Sequence, residues 1–166
     1  MLPTKPLGIP AFRNLWLGQS ISQLGDALYY VVFMFMVGKV TGSIAMVGYV
    51  GALETIPFFL FSAYSGVLAD RIDRKKIMLV SDLICGGILA AFAAAAYFNP
   101  KPHIAVIGAI AFALSTIRVF FWPAKNASIP RLVPPEMVME ANALSSITHN
   151  LMFLAGLGFS ASVLTA

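Results

Sequence analysis

The sequence predicts an all-α fold: a polytopic membrane helical bundle of about five transmembrane helices, with no residues left over for a soluble domain. Three observations predict it. First, the 166 residues are 59% hydrophobic and only 11% charged, whereas soluble domains run nearer a quarter charged. Second, the apolar residues gather into five segments, each close to the roughly 20 residues that a bilayer crossing needs. Third, polar residues inside those segments keep to one side, and most charges sit in the connections. A soluble fold still needs a wetted exterior, so lipid is the expected solvent for most of this chain and the bilayer its first partner.

Composition also excludes function classes. A net charge of +4 would suggest nucleic acid in a soluble protein. Here the bases lie in loops, where they set orientation, and no nucleic-acid partner is expected. The single cysteine, Cys85, lies in an apolar run, which rules out an intrachain disulfide and carries no metal spacing. No phosphate loop of the Walker type and no nucleophile–base pair in register is found, so neither enzyme nor cofactor is expected. The first apolar run is too long and too interrupted for a cleavable signal, and reads as a retained helix.

Residues 1–11, with three prolines and a lysine, predict an irregular cytoplasmic start. Helix one is expected over roughly 12–37. Its Gln19, Ser22, Gln23, Asp26 and Tyr30 follow the i, i+3, i+4, i+7 rule and share a face, opposite Leu17, Leu24, Leu28 and Val31. A polar stripe in lipid must turn toward other helices or a watery cavity. Trp16 near its start reads as an interfacial anchor. After a turn at 38–43, helix two is expected over 44–68, with Glu54 near its middle and Pro57 as a source of a kink. Helix three is expected over 77–98. Its Gly86, Gly87 and the alanines of 90–96 are residues that let helices approach closely in lipid.

Asn99, Pro100, Lys101, Pro102 and His103 predict the next turn, and helix four is expected over 104–122. Gly108, Ala111, Ser115 and Arg118 share its packed face. Pro123, Pro130, Pro134 and Pro135 predict a broken cytoplasmic connection over 123–135. Glu136 suits a helix first turn, and helix five is expected over 136–163, with a second one-sided stripe of Asn142, Ser145, Ser146, His149 and Asn150. With the N-terminus inside, eight bases are cytoplasmic (Lys5, Arg13, Arg71, Arg74, Lys75, Lys76, Lys125, Arg131) and two are outside (Lys39, Lys101). That bias predicts a multi-pass protein of the cell membrane, inner or plasma, with a cytoplasmic N-terminus.

Three ionisable residues stand at membrane depth: Asp26, Glu54 and Arg118. Each charge there costs about 2.5–3.5 kcal/mol on insertion scales, so each calls for a partner or a task. Low dielectric favours the neutral form of a carboxyl, which makes Asp26 and Glu54 candidates for taking up and releasing a proton. Arg118 stays charged and suits a stabilising partner. Gln23 and His149, on the two stripes, complete the substrate- or proton-handling candidates, although His149 reads first as a hydrogen-bonding packer. Asp82 is expected to pair with the basic loop.

The connection between helices two and three, G-V-L-A-D-R-I-D-R-K-K at 66–76, packs two acids and four bases into its last seven residues. With Gly66, Leu68, Asp70, Arg71, Asp73 and Arg74 at that spacing between apolar helices, it resembles the signature loop of the major facilitator superfamily of secondary transporters. The run R-V-F-F-W-P-A-K-N-A-S-I-P-R-L-V-P from Arg118 is similar to that superfamily's second signature. G-D-A-L at Gly25–Leu28 and A-N-A-L at Ala141–Leu144 are similar to the branch of macrolide and siderophore (enterobactin) exporters.

The resemblance implies twelve helices in two halves. The chain is therefore expected to be an N-terminal fragment, truncation or split gene product whose second half, or a partner chain, lies elsewhere. It implies secondary active efflux of a small-molecule substrate with H+ as coupling ion, and a conformational latch at Gly66, Asp70, Arg71 and Arg74. One departure bears on antiport: where such exporters carry a glycine–proline step and then a glycine pair in helix five, this chain has Gly156–Leu157 and Ser160–Ala161. The competing reading is a membrane interaction protein that assembles with another chain, or with itself, without transporting alone.

Overall fold

A computed structural model of the chain describes residues 5–98 and 102–165, with side chains described through 160. Parts of the expected N-terminal segment (1–4) and of the third turn (Asn99, Pro100 and the outer base Lys101), the Ala161 side chain and Ala166 lie outside the described residues. The order is a short 3-10 turn at Lys5–Gly8, then α1 (Pro10–Thr41), α2 (Ile44–Arg71), α3 (Arg74–Phe98) and α4 (Ile104–Leu132), a second 3-10 turn at Pro135–Met137, and α5 (Val138–Thr165). No strand occurs among the described residues. The fold is all-α, as the composition predicts. By length and composition four helices, α1 to α4, are apolar enough to cross a membrane among the described residues. The polar stripe in the first half of α5 holds that helix below the same standard.

The helices run longer than the apolar segments because the turns between them are chemically tight. Gly42 takes φ +63°, a left-handed conformation that costs other residues a steric penalty. Its N–H closes on the Gly38 carbonyl at 2.8 Å. Ser43 then caps α2, its hydroxyl oxygen accepting from the Met46 N–H at 3.4 Å. Two residues, Ile72 and Asp73, separate α2 from α3. The Ile72 N–H donates to the Leu68 carbonyl at 3.0 Å, and Asp73 Oδ1 accepts from the Lys75 N–H at 2.9 Å, capping α3. At the start of α4, His103 does the same work: Nδ1 accepts from the Ala105 N–H at 3.2 Å.

One expectation is overturned. The proline-rich stretch predicted to break at 123–135 is helical as far as Leu132, with Pro123 and Pro130 inside α4. Proline removes a donor and pushes the preceding turn's carbonyls aside, but a membrane helix survives this where another group re-satisfies them. Arg74 braces the neighbouring turn from outside α4. Its Nη1 donates to the Ala127 carbonyl at 2.9 Å, one turn before Pro130, while Nε donates at 3.2 Å to the Ala69 carbonyl in the last turn of α2. Lys125, expected in a cytoplasmic loop, is consequently a buried helical residue.

The chain divides into two compact units. One comprises the chain up to Phe33 and from Ser128 onward. Its core joins Phe12 of α1 to Ile129, Val133, Ala141 and Leu144. The indole N–H of Trp16 donates to Thr148 Oγ1 of α5 at 2.9 Å, so Trp16 is a helix-to-helix link as well as an aromatic near a helix start. Farther along, α1 and α5 touch at Ala27 and Gly156. The other unit, Met34–Ala127, packs α2 against α4: Phe61 and Phe120 stack 6.2 Å apart, and Gly108 of α4 leaves room for Leu53 of α2.

Arg74→Ala is expected to destabilise the second unit by about 1–3 kcal/mol, because it strips donors from two helix carbonyls at once. Arg74→Lys recovers only part, since an ammonium cannot copy the forked guanidinium. Thermal unfolding in detergent checks both.

Candidate functional site

Within the second unit, α2 and α4 bound a cleft of about 680 Å3. From α2 come Glu54, Phe58, Ser62 and Ser65, and from α4 Ser115, Arg118, Val119, Trp122, Pro123 and Asn126. These positions recur at helical spacing: 54, 58, 62 and 65 on one helix, 115, 118, 122 and 126 on the other, so each helix presents one face. Two of the sequence candidates, Glu54 and Arg118, are thereby brought to the same cleft, both half-buried. Within α2 and α4 they supply the only carboxylate and the only guanidinium lining it.

The polar groups around them are already oriented. The Ser65 hydroxyl donates to the Ser62 carbonyl at 2.8 Å, and the Ser115 hydroxyl to the Phe112 carbonyl at 3.0 Å. Both oxygens keep lone pairs as acceptors. Trp122 is 42% exposed, and the Nζ of Lys125 lies 4.8 Å from the centroid of its ring. Such a cleft, apolar rings with a few charged and hydroxyl groups, fits the size and chemistry of a small-molecule site.

The other candidates belong to other places. Gln23, Asp26 and His149 are in the first unit. The predicted stripe on α1 straddles the edge of its packed face: Gln19 and Gln23 are buried and Ser22 half-buried, whereas Asp26 and Tyr30 are exposed. Gln23, at 8% exposure, has a carbonyl oxygen that accepts no hydrogen bond among the described residues. His149 is half-buried. At the predicted latch, Asp70 is 78% exposed and 3.5 Å from Arg74, a solvent-screened pair of small energetic weight. Arg71 is exposed beside a shallow cleft with Tyr64 and Val67. A Cβ at Gly66 would meet nothing within 4 Å.

Sequence reasoning missed Trp122 and Asn126 as site residues, and Lys125 against the Trp122 ring, because it ended the helix at Trp122. Continued through Pro123, the pattern from Arg118 would have placed them at i+4, i+7 and i+8. No group of three or more His, Cys, Asp or Glu able to hold a metal occurs among the described residues.

A family model described as a transmembrane secretion effector, of the major facilitator class, matches residues 2–166. The chain belongs to this family. The major facilitator chain is 29% identical over 143 residues to macrolide efflux protein A of Streptococcus pyogenes, covering 86% of this chain and 35% of that protein. It is 30% identical over 143 residues to the enterobactin exporter EntS of Salmonella typhimurium, 86% of this chain and 34% of the other. It is 27% identical over 169 residues to the uncharacterized MFS-type transporter YfiS of Bacillus subtilis, 95% and 38% of the two chains. The chain thus spans about a third of the length of these relatives. No solved structure matches it.

Proposed function

We propose that this chain is the N-terminal portion of a proton-coupled exporter of small organic molecules in the inner or plasma membrane. The observation that carries the reading is the α2–α4 cleft, where helices apolar enough to cross a membrane turn a carboxylate, a guanidinium and three serines toward one space. Glu54 is the proton site: it loads when the cleft opens outward and releases when it opens inward. Arg118 holds a fixed positive charge beside it, and the swing of Glu54 between neutral and charged forms changes the balance of the cleft. Asp26 and Gln23 on α1, with His149 on α5, serve the substrate path. Gly66, Asp70, Arg71 and Arg74 form the cytoplasmic latch. Transport needs a second half or a partner chain, because such sites lie where two repeats meet.

Support for this reading comes from efflux proteins at about 30% identity and from the charge pattern of the loops. Efflux from everted vesicles prepared from cells expressing the natural gene tests it. Asp26→Asn and Asp70→Asn are each expected to slow efflux by about tenfold or more, the scale of losing one coupling interaction. Wild-type rates in both variants would remove those assignments.

Orientation is tested separately. In a Cys85→Ala background, Lys76→Cys is expected to react with an impermeant thiol reagent only from the cytoplasmic side, and Ile44→Cys only from outside. The reverse pattern would invert the topology.

A further inference from the structure

Behind Trp122, a residue of the cleft lining, stands a cation that proton handling leaves unused. Glu54 and Arg118 offset each other in formal charge, and Lys125 adds a positive charge two turns farther along α4, about 10 Å of helix rise from Arg118. It is only 4% exposed. No carboxylate pairs with it among the described residues; its partner is the ring of Trp122, 4.8 Å from Nζ. A cation held against one face of an indole is partly compensated by the ring's quadrupole, but far less than by an opposite charge. The end of the cleft at Trp122 therefore carries uncompensated positive potential.

The remaining lining narrows the class of ligand. Trp122 and Phe58 expose rings from α4 and α2 to the same cleft, surfaces on which a planar group stacks at offset. The hydroxyl protons of Ser65 and Ser115 are committed to backbone carbonyls, so they offer nothing to an anion. Donors come from Arg118 and from the Asn126 amide, which flank Trp122 along α4. A cationic ligand would add to the charge surplus, and a neutral one would leave it standing. Resting on the assignment of the cleft as the transport site, we propose that its substrates are planar aromatic anions, the ring against Trp122 and the anionic group drawn by the field of Lys125.

The test uses the fluorescence of Trp122 in a Trp16→Phe variant of the full chain in detergent micelles, Trp16 being the other tryptophan. Three quenchers that share a nitrophenyl ring and are of similar size carry different charges: 4-nitrobenzoate, 4-nitrobenzyl alcohol and 4-nitrobenzylammonium. Saturable quenching by the carboxylate is expected at a concentration about tenfold or more below that for the ammonium, with the alcohol between them, as one nearby charge of either sign dictates. Lys125→Met is expected to erase the ranking and Lys125→Arg to keep it, with circular dichroism reporting that both variants remain helical. Equal or tighter binding of the ammonium, no saturable quenching by the carboxylate, or an unchanged ranking in helical Lys125→Met would each overturn the proposal. Any of these with pH-driven efflux intact removes the anion assignment alone. Loss of the export reading itself would appear as an efflux rate indifferent to pH.

Discussion

Gly156→Leu is expected to pull α5 off α1 and unfold the first unit at a markedly lower temperature. Ala27 is 1% exposed, and a Cβ built at Gly156 would overlap its Cβ and come to 3.4 Å of its Cα. The obstacle is backbone and a methyl group, neither of which can swing aside as a flexible side chain would. In lipid, where apolar burial does not drive helix association, close backbone approach through small residues supplies much of the attraction. Overpacking a well-fitted site costs about 1–3 kcal/mol, and a leucine forced between two backbones belongs at or above the top of that range. Gly156→Ala tests the contact with a single methyl group and is expected to fall between wild type and leucine. The Ala27→Gly, Gly156→Ala double variant makes room on the other side and is expected to recover part of the loss. Thermal unfolding in detergent, read by circular dichroism, gives the ranking. A leucine variant that melts with wild type would mean that α1 and α5 do not meet at Ala27.

Arg118→Leu is expected to reduce export by about a hundredfold or more, the larger of the two functional losses at the cleft. The substitution removes the only guanidinium among the described residues lining the cleft. Opposite charges that face one space where water is scarce attract more strongly than in bulk water, and the leucine variant loses that attraction. Without that fixed positive charge in the cleft, the proton step of the cycle is expected to stall. Arg118→Lys keeps the charge but not the planar fork, and is expected to retain measurable transport. Efflux rates with matched membrane levels of each variant decide this. Arg118→Leu at the wild-type rate would make the residue structural only.

The helices and their apolar character were legible in composition and periodicity, because lipid leaves the chain few alternatives to the helix. The charged turn was equally legible: Ile72 and Asp73 are all that separate α2 from α3, and the acids and bases crowd there because nothing else in reach is wet. The span of α4 was not. Proline statistics treat each residue by itself and take no account of groups remote in sequence that brace the helix. The guanidinium of Arg74 on the Ala127 carbonyl is the clearest of these. One end of the cleft vanished from view with that error, since Pro123 and Asn126 read as connection and Trp122 as the last helical residue. Glu54 and Arg118, which line one cleft, stand out in the sequence because each is a charge inside an apolar run. The exposure of Asp26 beside buried Gln23 was out of reach, because a stripe's periodicity gives its direction on the helix and not how far the neighbouring helix covers it. Trp16 was read for its place near a helix start; its partner, Thr148, is 132 residues away, and no local pattern links the two.

Export driven by an imposed pH gradient, compared between wild type and Glu54→Gln, tests the account most directly. Everted vesicles at equal protein level are exposed to a proton gradient of either direction, and substrate movement is followed. Wild type is expected to respond to the gradient, Glu54→Asp to respond more weakly, and Glu54→Gln to move substrate at a rate that ignores it, because an amide neither binds nor releases a proton in this range. A Glu54→Gln protein that follows the gradient as wild type does would contradict the assignment of the α2–α4 cleft as the place where protons and export are joined.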